Sequence, residues 1–269
     1  MSQYYCQLDH LSILALAGNK ATSFLQSQVT SDILSLKPSQ GIPTLLCNRK
    51  GQVICELYIR LLEDHWQIIL DTKLVPKLQR QWHPLLRLSR LTLSNPLVDT
   101  PIYLLSQAYG SCIPVIMTQT EGHQLLPIQA DILETQGFTE KDMNLNMIKI
   151  QQKIASINES MSEKYTPQLL GYTQHDLIDF KKGCYLGQEI IARIQFKSAK
   201  QYWLELANID QSADIDHNSR LQYEQKTIGQ IIAYVPYHHH WLVLVSITKN
   251  VPIEAIELQH TSYRLKPCL

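Results

Sequence analysis

The sequence predicts an α+β fold with more than one domain, and three observations support this prediction. The chain has 269 residues, which exceeds the size at which a single hydrophobic core usually stops growing. Up to Lys200, strand, hairpin and helix patterns are mixed irregularly, which favours α+β over a doubly wound parallel sheet. After Lys200 the helix pattern disappears and short strands follow one another.

The composition is that of an ordinary soluble globular protein, with 45% apolar and 18% charged residues. Its 24 basic residues balance 24 acidic residues, so no charge excess indicates binding to nucleic acid or to an anionic membrane. Residues 1–6 lack the pattern of a secretion signal, and the longest apolar stretch, residues 241–245, is too short to span a bilayer. We therefore expect a soluble, cytoplasmic protein without direct nucleic-acid or membrane partners.

Neither the cysteines nor the histidines predict a metal site. The six cysteines are scattered singly and contain no Cys-x-x-Cys pair, so they predict neither disulfides nor zinc or iron–sulfur ligands. Three consecutive histidines, His238 to His240, precede a predicted strand. Because consecutive residues cannot all face one ion, we expect a solvated loop there rather than a metal site.

The N-terminal elements are predicted to be a strand followed by two short helices. Residues 8–16 form an apolar run that is typical of a buried strand. Asn19 is the predicted cap of a helix that extends to about Gln28. A second short helix, capped by Ser31 or Asp32, is predicted to follow it.

A hairpin and a longer helix come next. Residues 44–62 predict two antiparallel strands around a glycine turn, and residues 66–71 predict a third strand. Residues 74–88 have a helical pattern in which Pro84 should kink or restart the helix. Residues 91–93 predict another short strand.

The middle of the chain alternates between strands and helices. Two strands are predicted at residues 102–108 and 113–119, with a glycine-containing turn between them. A short helix is predicted at residues 128–136 and a polar loop at residues 156–171. Between the short helix and the loop, Thr139 is the predicted cap of a longer helix over residues 140–154. Long loops in compact domains often carry function, and this one leads directly into the most informative stretch of the chain.

The C-terminal part of the chain predicts a small antiparallel barrel or sandwich. Its four strand patterns lie at residues 202–207, 220–223, 228–235 and 241–247. We place a domain boundary near Asn208.

The most informative stretch, residues 180–193, places two of the ten glycines on either side of a cysteine and a tyrosine. We interpret Gly183 and Gly187 as a tight bend ahead of a helix that starts near Gly187 or Gln188. The helix N-terminus and the two preceding lysines would then lower the pKa of Cys184 and make it a nucleophilic or redox-sensitive thiol.

The same residues also have a purely structural interpretation. Cys184 can be a small buried filler, Tyr185 a packing residue and Glu189 a helix cap. Free cysteine is more often packed than reactive, so local features favour this interpretation.

Residues 182–189, Lys-Gly-Cys-Tyr-Leu-Gly-Gln-Glu, resemble the Lys-Gly-Cys-Tyr-x-Gly-Gln-Glu signature of the YgfZ family. That family comprises folate-binding relatives of the glycine-cleavage T-protein, an aminomethyltransferase. Weaker similarities occur in the family's order at residues 18–32, 50–51 and 167–168, so the resemblance extends over nearly the whole chain.

The resemblance implies a fold. T-protein relatives form a three-domain ring, a cloverleaf with folate in a central channel. For this chain the resemblance implies a first α+β domain over residues 1–45 plus 140–207 and a second α+β domain over residues 46–139. A small C-terminal β-barrel would occupy residues 208–269.

The resemblance also implies a function. The chain would be a folate-binding-type accessory protein that supports iron–sulfur cluster assembly or repair, and through it tRNA modification. Its implied partners are a folate-type small molecule and iron–sulfur client proteins, including an enzyme that methylthiolates tRNA. Cys184 would be the functional thiol, with Lys182 favouring the thiolate. The motif residues around it are Lys182, Gly183, Tyr185, Gly187, Gln188 and Glu189.

Two departures from the family pattern bear on the implied chemistry. The T-protein run Gly-Gly-x-x-Asp-Asp falls on residues 51–56, where Cys55 and Glu56 replace the aspartates, so we do not expect true aminomethyltransferase activity. The two tryptophans that contact folate fall on Leu11 and Leu145, which cannot stack on a pterin ring. The implied cofactor, tetrahydrofolate or a derivative, would therefore meet an altered pocket.

Two alternative functions remain open at this point. A tetrahydrofolate-dependent aminomethyl or other one-carbon transferase, or a demethylase, would bind folate and turn over a methylated or aminomethylated amine. A scaffold that only binds partners would instead expose apolar patches.

Overall fold

The computed structural model describes residues 3–95, 100–106, 113–114, 123–197, 202–217, 219–248, 250–259 and 263–268. The helices are α1 Ala21–Gln28, α2 Val75–Ser89, α3 Ala130–Thr135, α4 Leu145–Gln151 and α5 Gln188–Lys197. The first ten strands are β1 Tyr4–Gln7, β2 Leu11–Ala17, β3 Gly41–Cys47, β4 Val53–Leu61, β5 His65–Asp71, β6 Thr92–Ser94, β7 Ile102–Leu105, β8 Ile113–Pro114, β9 Gln124–Pro127 and β10 Thr139–Glu140. The remaining strands are β11 Trp203–Asp210, β12 Arg220–Tyr223, β13 Lys226–Tyr237, β14 His240–Ile247, β15 Glu257–Leu258 and β16 Lys266–Pro267.

The chain divides into two compact units. Unit 1 comprises Met1–Met143, Ile157–Lys164 and Thr173–Ile190. Unit 2 comprises Asn144–Ser156, Tyr165–Tyr172 and Ile191–Leu269. The mixture of helices with antiparallel sheets confirms the predicted α+β class.

Unit 1 contains two five-stranded sheets. The larger one has the order β3-β4-β5-β2-β6, and all its pairings are antiparallel. Its β3–β4 pair is the predicted hairpin. Phe24 of α1 and Trp82 of α2 pack edge to face at a ring distance of 5.4 Å, which fixes the two helices against each other.

The second sheet of unit 1 has the order β10-β1-β7-β9-β8. Strand β1 pairs in parallel with β10 and antiparallel with β7. Tyr5 and Tyr103 on paired strands pack edge to face over a small core that also contains Leu133 and Phe138. The predicted turn at residues 109–111 and most of the predicted strand at residues 113–119 lie outside the described residues.

Unit 2 is built on one six-stranded sheet with the order β15-β12-β13-β14-β11-β16. Strand β11 passes through Asn208 and pairs with β14 over its whole length. The core of unit 2 is aliphatic, with Ile231, Val243 and Val245 fully buried. The four predicted C-terminal strands are confirmed. The barrel and the three-domain ring stay predictions. So does the division into residues 1–45 plus 140–207, residues 46–139 and residues 208–269.

Three predictions about helices are wrong in whole or in part. Helix α1 begins after Lys20, and no side chain caps it, so Asn19 is not its cap. No helix follows Ser31. Instead, the Asp32 carboxylate accepts hydrogen bonds from the Gln26 side chain and from the Leu34 N–H, which holds the segment in a turn. Helix α2 continues through Pro84, so the helix does not restart there, while the predicted kink stays a prediction.

The fourth correction concerns Thr139, which lies in strand β10 rather than at a helix start. Asn144 caps α4 instead, because its side-chain oxygen accepts a hydrogen bond of 3.1 Å from the Met147 N–H. Within the part of the chain that the structure describes, no helix combines the length and apolar character needed to cross a bilayer.

The Asn144 cap can be tested against a matched asparagine in the same helix. Asn144→Ala should lower the free energy of unfolding by about 1 kcal/mol, because the Met147 N–H loses its acceptor. Asn146→Ala, at an exposed position inside α4, should leave it unchanged or raise it slightly, since alanine has the higher helix propensity. Urea denaturation of both variants measures the difference, and equal stabilities would contradict the assigned cap.

Candidate functional site

The candidate site is the segment of unit 1 that precedes α5. We call residues 179–189 the signature loop. Helix α5 begins at Gln188, where the glycine pattern predicts it, and Gly187 has a positive φ of 86°. The loop contains little regular structure before α5, so its position depends on contacts with other elements.

The side chain of Lys182 is the first of these contacts. Its Nζ donates hydrogen bonds of 2.8 Å to the main-chain oxygens of Gln26, Val29 and Ser31. These oxygens lie at and just beyond the last turn of α1, where carbonyl groups lack helical partners. A cation at a helix C-terminus is also favoured by the helix dipole.

This geometry gives Lys182 a positioning role. An ammonium group has three donors, and carbonyl oxygens accept all three, so none is left for the Cys184 thiolate. Burial lowers the pKa of Lys182 to about 8, against the raising effect of Asp32 and Asp179. Lys182 therefore holds the loop against α1, and its predicted effect on the Cys184 thiolate stays a prediction.

Asp179 and Leu186 provide two further attachments. The Asp179 carboxylate accepts hydrogen bonds of 2.6 and 3.1 Å from the N–H groups of the two lysines at 181 and 182, which forms a tight turn. Its own N–H donates to the Thr30 oxygen at 2.9 Å. On the other side of Cys184, the Leu186 N–H donates to the Ser27 oxygen at 3.2 Å.

Gly187 lies against the turn of the β3–β4 hairpin. A Cβ atom on Gly187 would come within 2.5 Å of the Asn48 carbonyl oxygen and 3.1 Å of the Gly51 Cα. The turn is itself rigid, because the Asn48 side-chain oxygen accepts hydrogen bonds from the N–H groups of Lys50 and Gln52. Only glycine fits this backbone contact at a positive φ.

The remaining motif residues have distinct environments. Tyr185 is buried, and its ring lies 5.4 Å from the Lys182 Nζ. Burial, with smaller contributions from Cys47 and Asp179, raises the pKa of Tyr185 well above its ordinary value. The Gln188 side chain accepts a long hydrogen bond of 3.4 Å from the Tyr185 N–H, and Glu189 is exposed in the first turn of α5.

The described cysteines differ in exposure, and Cys6 of β1 is half-buried. The thiol of Cys184 is exposed, as is that of Cys268, which lies near the C-terminus. Cys47 and Cys55 are buried in β3 and β4, and burial raises the pKa of both. Burial also raises the pKa of Cys268. The predicted packing role of Cys184 as a buried filler is therefore wrong, because its side chain faces solvent.

The positions that the resemblance assigns to folate and to catalysis lie elsewhere in the chain. Leu11 is half-buried at the start of β2 in unit 1, and Leu145 is buried at the start of α4 in unit 2. Glu56 is buried in β4 and accepts a hydrogen bond of 3.1 Å from the Tyr58 hydroxyl.

The described residues also settle where the histidine run lies. His238 and His239 are exposed in the turn between β13 and β14, and His240 begins β14. Among the described residues, no group of three or more His, Cys, Asp or Glu side chains is arranged to hold a metal ion.

Sequence analysis missed Asp179, which shapes the signature loop, and the loop partners Ser27 and Asn48. Asp179 carries a local signal, since Asp is favoured in turns and Gly183 follows four residues later. Asn48 lies in the predicted hairpin turn, which is a position favoured by asparagine. Ser27 contributes only its backbone oxygen, and no side-chain pattern could have identified it.

Comparisons with known proteins bear on the fold and on the family resemblance. No family model matches the chain. A crystal structure of the glycine cleavage system aminomethyltransferase T from Bartonella henselae is similar with a TM-score of 0.70 and 13% sequence identity. The similarity covers 100% of this chain and 86% of that one. The fold is therefore that of the glycine-cleavage T-proteins.

Curated relatives define the resemblance more narrowly. The tRNA-modifying protein YgfZ of Colwellia psychrerythraea is 23% identical over 96% of this chain and 90% of its own length. The tRNA-modifying protein YgfZ of Photorhabdus laumondii is 22% identical over 96% of this chain and 87% of its own length. The chain is thus similar to YgfZ proteins over nearly its whole length, which agrees with the family resemblance drawn from the sequence.

The contribution of Lys182 to stability can be measured against its neighbour. Lys182→Met should lower the free energy of unfolding by about 2–4 kcal/mol, because three main-chain oxygens lose a charged donor. Lys181→Met removes the same charge from an exposed side chain and should change it by less than about 0.5 kcal/mol. Chemical denaturation of both variants compares them, and the assigned role of Lys182 is wrong if the two are equally stable.

The two motif glycines provide a second matched pair. Gly187→Ala should lower the free energy of unfolding by at least about 2 kcal/mol, because it combines a positive φ with overlap on the hairpin turn. Gly183→Ala should change it by less than about 1 kcal/mol, since a Cβ there meets nothing within 4 Å. Thermal and urea unfolding of the two variants gives the comparison. A stable Gly187→Ala variant would show that the loop does not rest on the turn.

Proposed function

We propose that this chain is a cytoplasmic, folate-binding-type accessory protein that supports iron–sulfur cluster assembly or repair, and through it tRNA modification. The observation that carries the proposal is the setting of Cys184. Its thiol is exposed on a loop that is anchored two residues before it by Lys182 and two residues after it by Leu186. The similarity to tRNA-modifying YgfZ proteins supports the proposal independently.

Cys184 has the chemistry that contact with a cluster-bearing client requires. Iron–sulfur clusters are held by cysteine thiolates, so an additional accessible thiol can approach cluster iron or a client cysteine. Because the loop backbone is fixed, little conformational entropy is lost when a protein client meets the thiol. The client's cluster is the substrate of this action.

The other motif residues act by positioning Cys184. Lys182 and Gly187 hold the two sides of the loop against α1 and the β3–β4 turn. Tyr185 fills the space beneath the loop, and Gln188 joins the helix start to the loop backbone. None of them is proposed to touch the client's reacting atoms.

The proposal does not depend on folate. The positions assigned by the resemblance carry Leu11 and Leu145, which have no ring on which a pterin or benzoyl group could stack. Leu145 is moreover 7% exposed, so its side chain offers little surface to any ligand. These residues do not fit the stacking role that tetrahydrofolate or a derivative would require.

The transferase alternative is not favoured either. T-protein chemistry uses an aspartate pair, and this chain has Cys55 and Glu56 at the aligned positions. The Cys55 thiol is fully buried, and Glu56 is buried with a hydrogen bond from Tyr58. Neither group is an accessible base, so we extend the proposal to client support and not to aminomethyl transfer.

Under this proposal, substitution of Cys184 should remove the function but leave the stability of the chain nearly unchanged. In cells that lack the wild-type chain, Cys184→Ser should abolish support for tRNA methylthiolation, measured as modified nucleosides by mass spectrometry. The free energy of unfolding should change by less than about 1 kcal/mol, because the thiol is exposed. Cys268→Ser changes another exposed thiol and should retain function.

Two results would contradict this assignment. Normal methylthiolation with Cys184→Ser would show that the thiol is not needed. The second result combines two measurements: micromolar binding of tetrahydrofolate by calorimetry, and turnover of an aminomethylated amine that the Cys184→Ser variant retains. Together they would favour the transferase alternative.

A further inference from the structure

A groove in unit 1 lies between helix α2 and the short strand β6, away from the signature loop in sequence. Its volume is about 750 Å³. Its lining residues are Gln79, Arg80, His83, Pro84, Leu86 and Arg87 of α2 with Leu91, Thr92 and Leu93 after it. Leu86 and Leu91 are buried beneath the groove, while the polar side chains of α2 stand along one wall.

The charge along this wall is unusual for a chain that is neutral overall. Residues 72–98 contain no Asp or Glu, yet they include two lysines, three arginines and a histidine. Arg80 pairs with Glu163 at 3.0 Å on the surface. Among the described residues, His83, Arg87 and Arg90 take part in no ion pair, and all three are exposed.

The other wall of the groove is an edge strand. In the part of the sheet that the structure describes, β6 has β2 as its neighbour on one side and no strand on the other. An edge strand presents main-chain N–H and C=O groups that an added strand can pair with. Apolar side chains also line the groove, namely Pro84, Leu86, Leu91 and Leu93.

We propose that the groove between α2 and β6 binds an extended, acidic segment of a partner protein. The segment would pair its main chain with β6, direct carboxylates toward Arg80 and Arg87, and place alternate apolar side chains over Leu86 and Leu91. The inference goes beyond the proposed function, because it does not depend on Cys184. It gives the chain a docking surface that is separate from its thiol.

A peptide fits the groove better than single-stranded RNA does. Non-specific RNA sites combine a basic channel with aromatic rings on which bases stack. No Phe, Tyr or Trp is among the described lining residues, and the groove has an apolar base. The main-chain groups of an edge strand match a peptide, whereas a phosphate backbone makes no use of alternating donors and acceptors.

The test is fluorescence anisotropy with a labelled peptide in which Glu and Val alternate, added to the full chain. Binding should weaken by about tenfold in the double variant Arg80→Gln with Arg87→Gln. The double variant Lys37→Gln with Lys226→Gln removes the same net charge at exposed positions outside the groove and should bind like wild type. Denaturation curves of both double variants verify that they are folded.

Two modified peptides, one variant of the chain and one oligonucleotide test the mode of binding. The same peptide with N-methyl groups on alternate backbone nitrogens should not bind, and neither should a peptide of alternating Lys and Val. The Cys184→Ser variant should bind the Glu and Val peptide normally, so failure here is distinguishable from failure of the proposed function. The proposal is overturned if the Arg80 and Arg87 substitutions have no effect, or if a polyuridylate oligonucleotide binds more tightly with the same dependence on these arginines.

Discussion

The candidate site depends on one interaction, the attachment of the Lys182 ammonium group to three main-chain oxygens at the end of α1. Removing a lysine from water is costly, and the lowered pKa of Lys182 reflects that cost. Three charge-assisted hydrogen bonds offset it and satisfy carbonyl groups that a helix end leaves without partners. The signature loop thereby takes its position from a helix rather than from secondary structure of its own.

This attachment explains why the thiol can be both exposed and ordered. A loop tip that faces solvent usually loses order, because few contacts oppose its conformational entropy. Here the chain is held immediately before Cys184 by Lys182 and soon after it by Leu186 and Gly187. The buried thiols of Cys47 and Cys55 have the opposite setting, since burial raises their pKa and blocks access.

Sequence patterns predicted the parts of this arrangement that depend on near neighbours. The β3–β4 hairpin, the start of α5 at Gln188 and strand β12 all follow from glycine positions and alternating apolar residues. The partners of Lys182 could not be predicted in this way, because they are backbone oxygens 151 to 156 residues distant in sequence. Asn144 and Thr139 are both acceptable helix caps, and tertiary pairing of β10 with β1 decided between them.

Two positions that the resemblance links to catalysis or to folate, Glu56 and Leu145, are buried in this chain. Glu56 is buried with a hydrogen bond from Tyr58, and Leu145 is buried at a helix start. The accessible polar features are a fixed thiol at Cys184 and a cationic groove beside an edge strand. Both are open to solvent and suited to macromolecules rather than to an enclosed ligand. Under the proposed function, the reaction would therefore take place on a partner protein, with this chain supplying a positioned sulfur and a surface on which the partner rests.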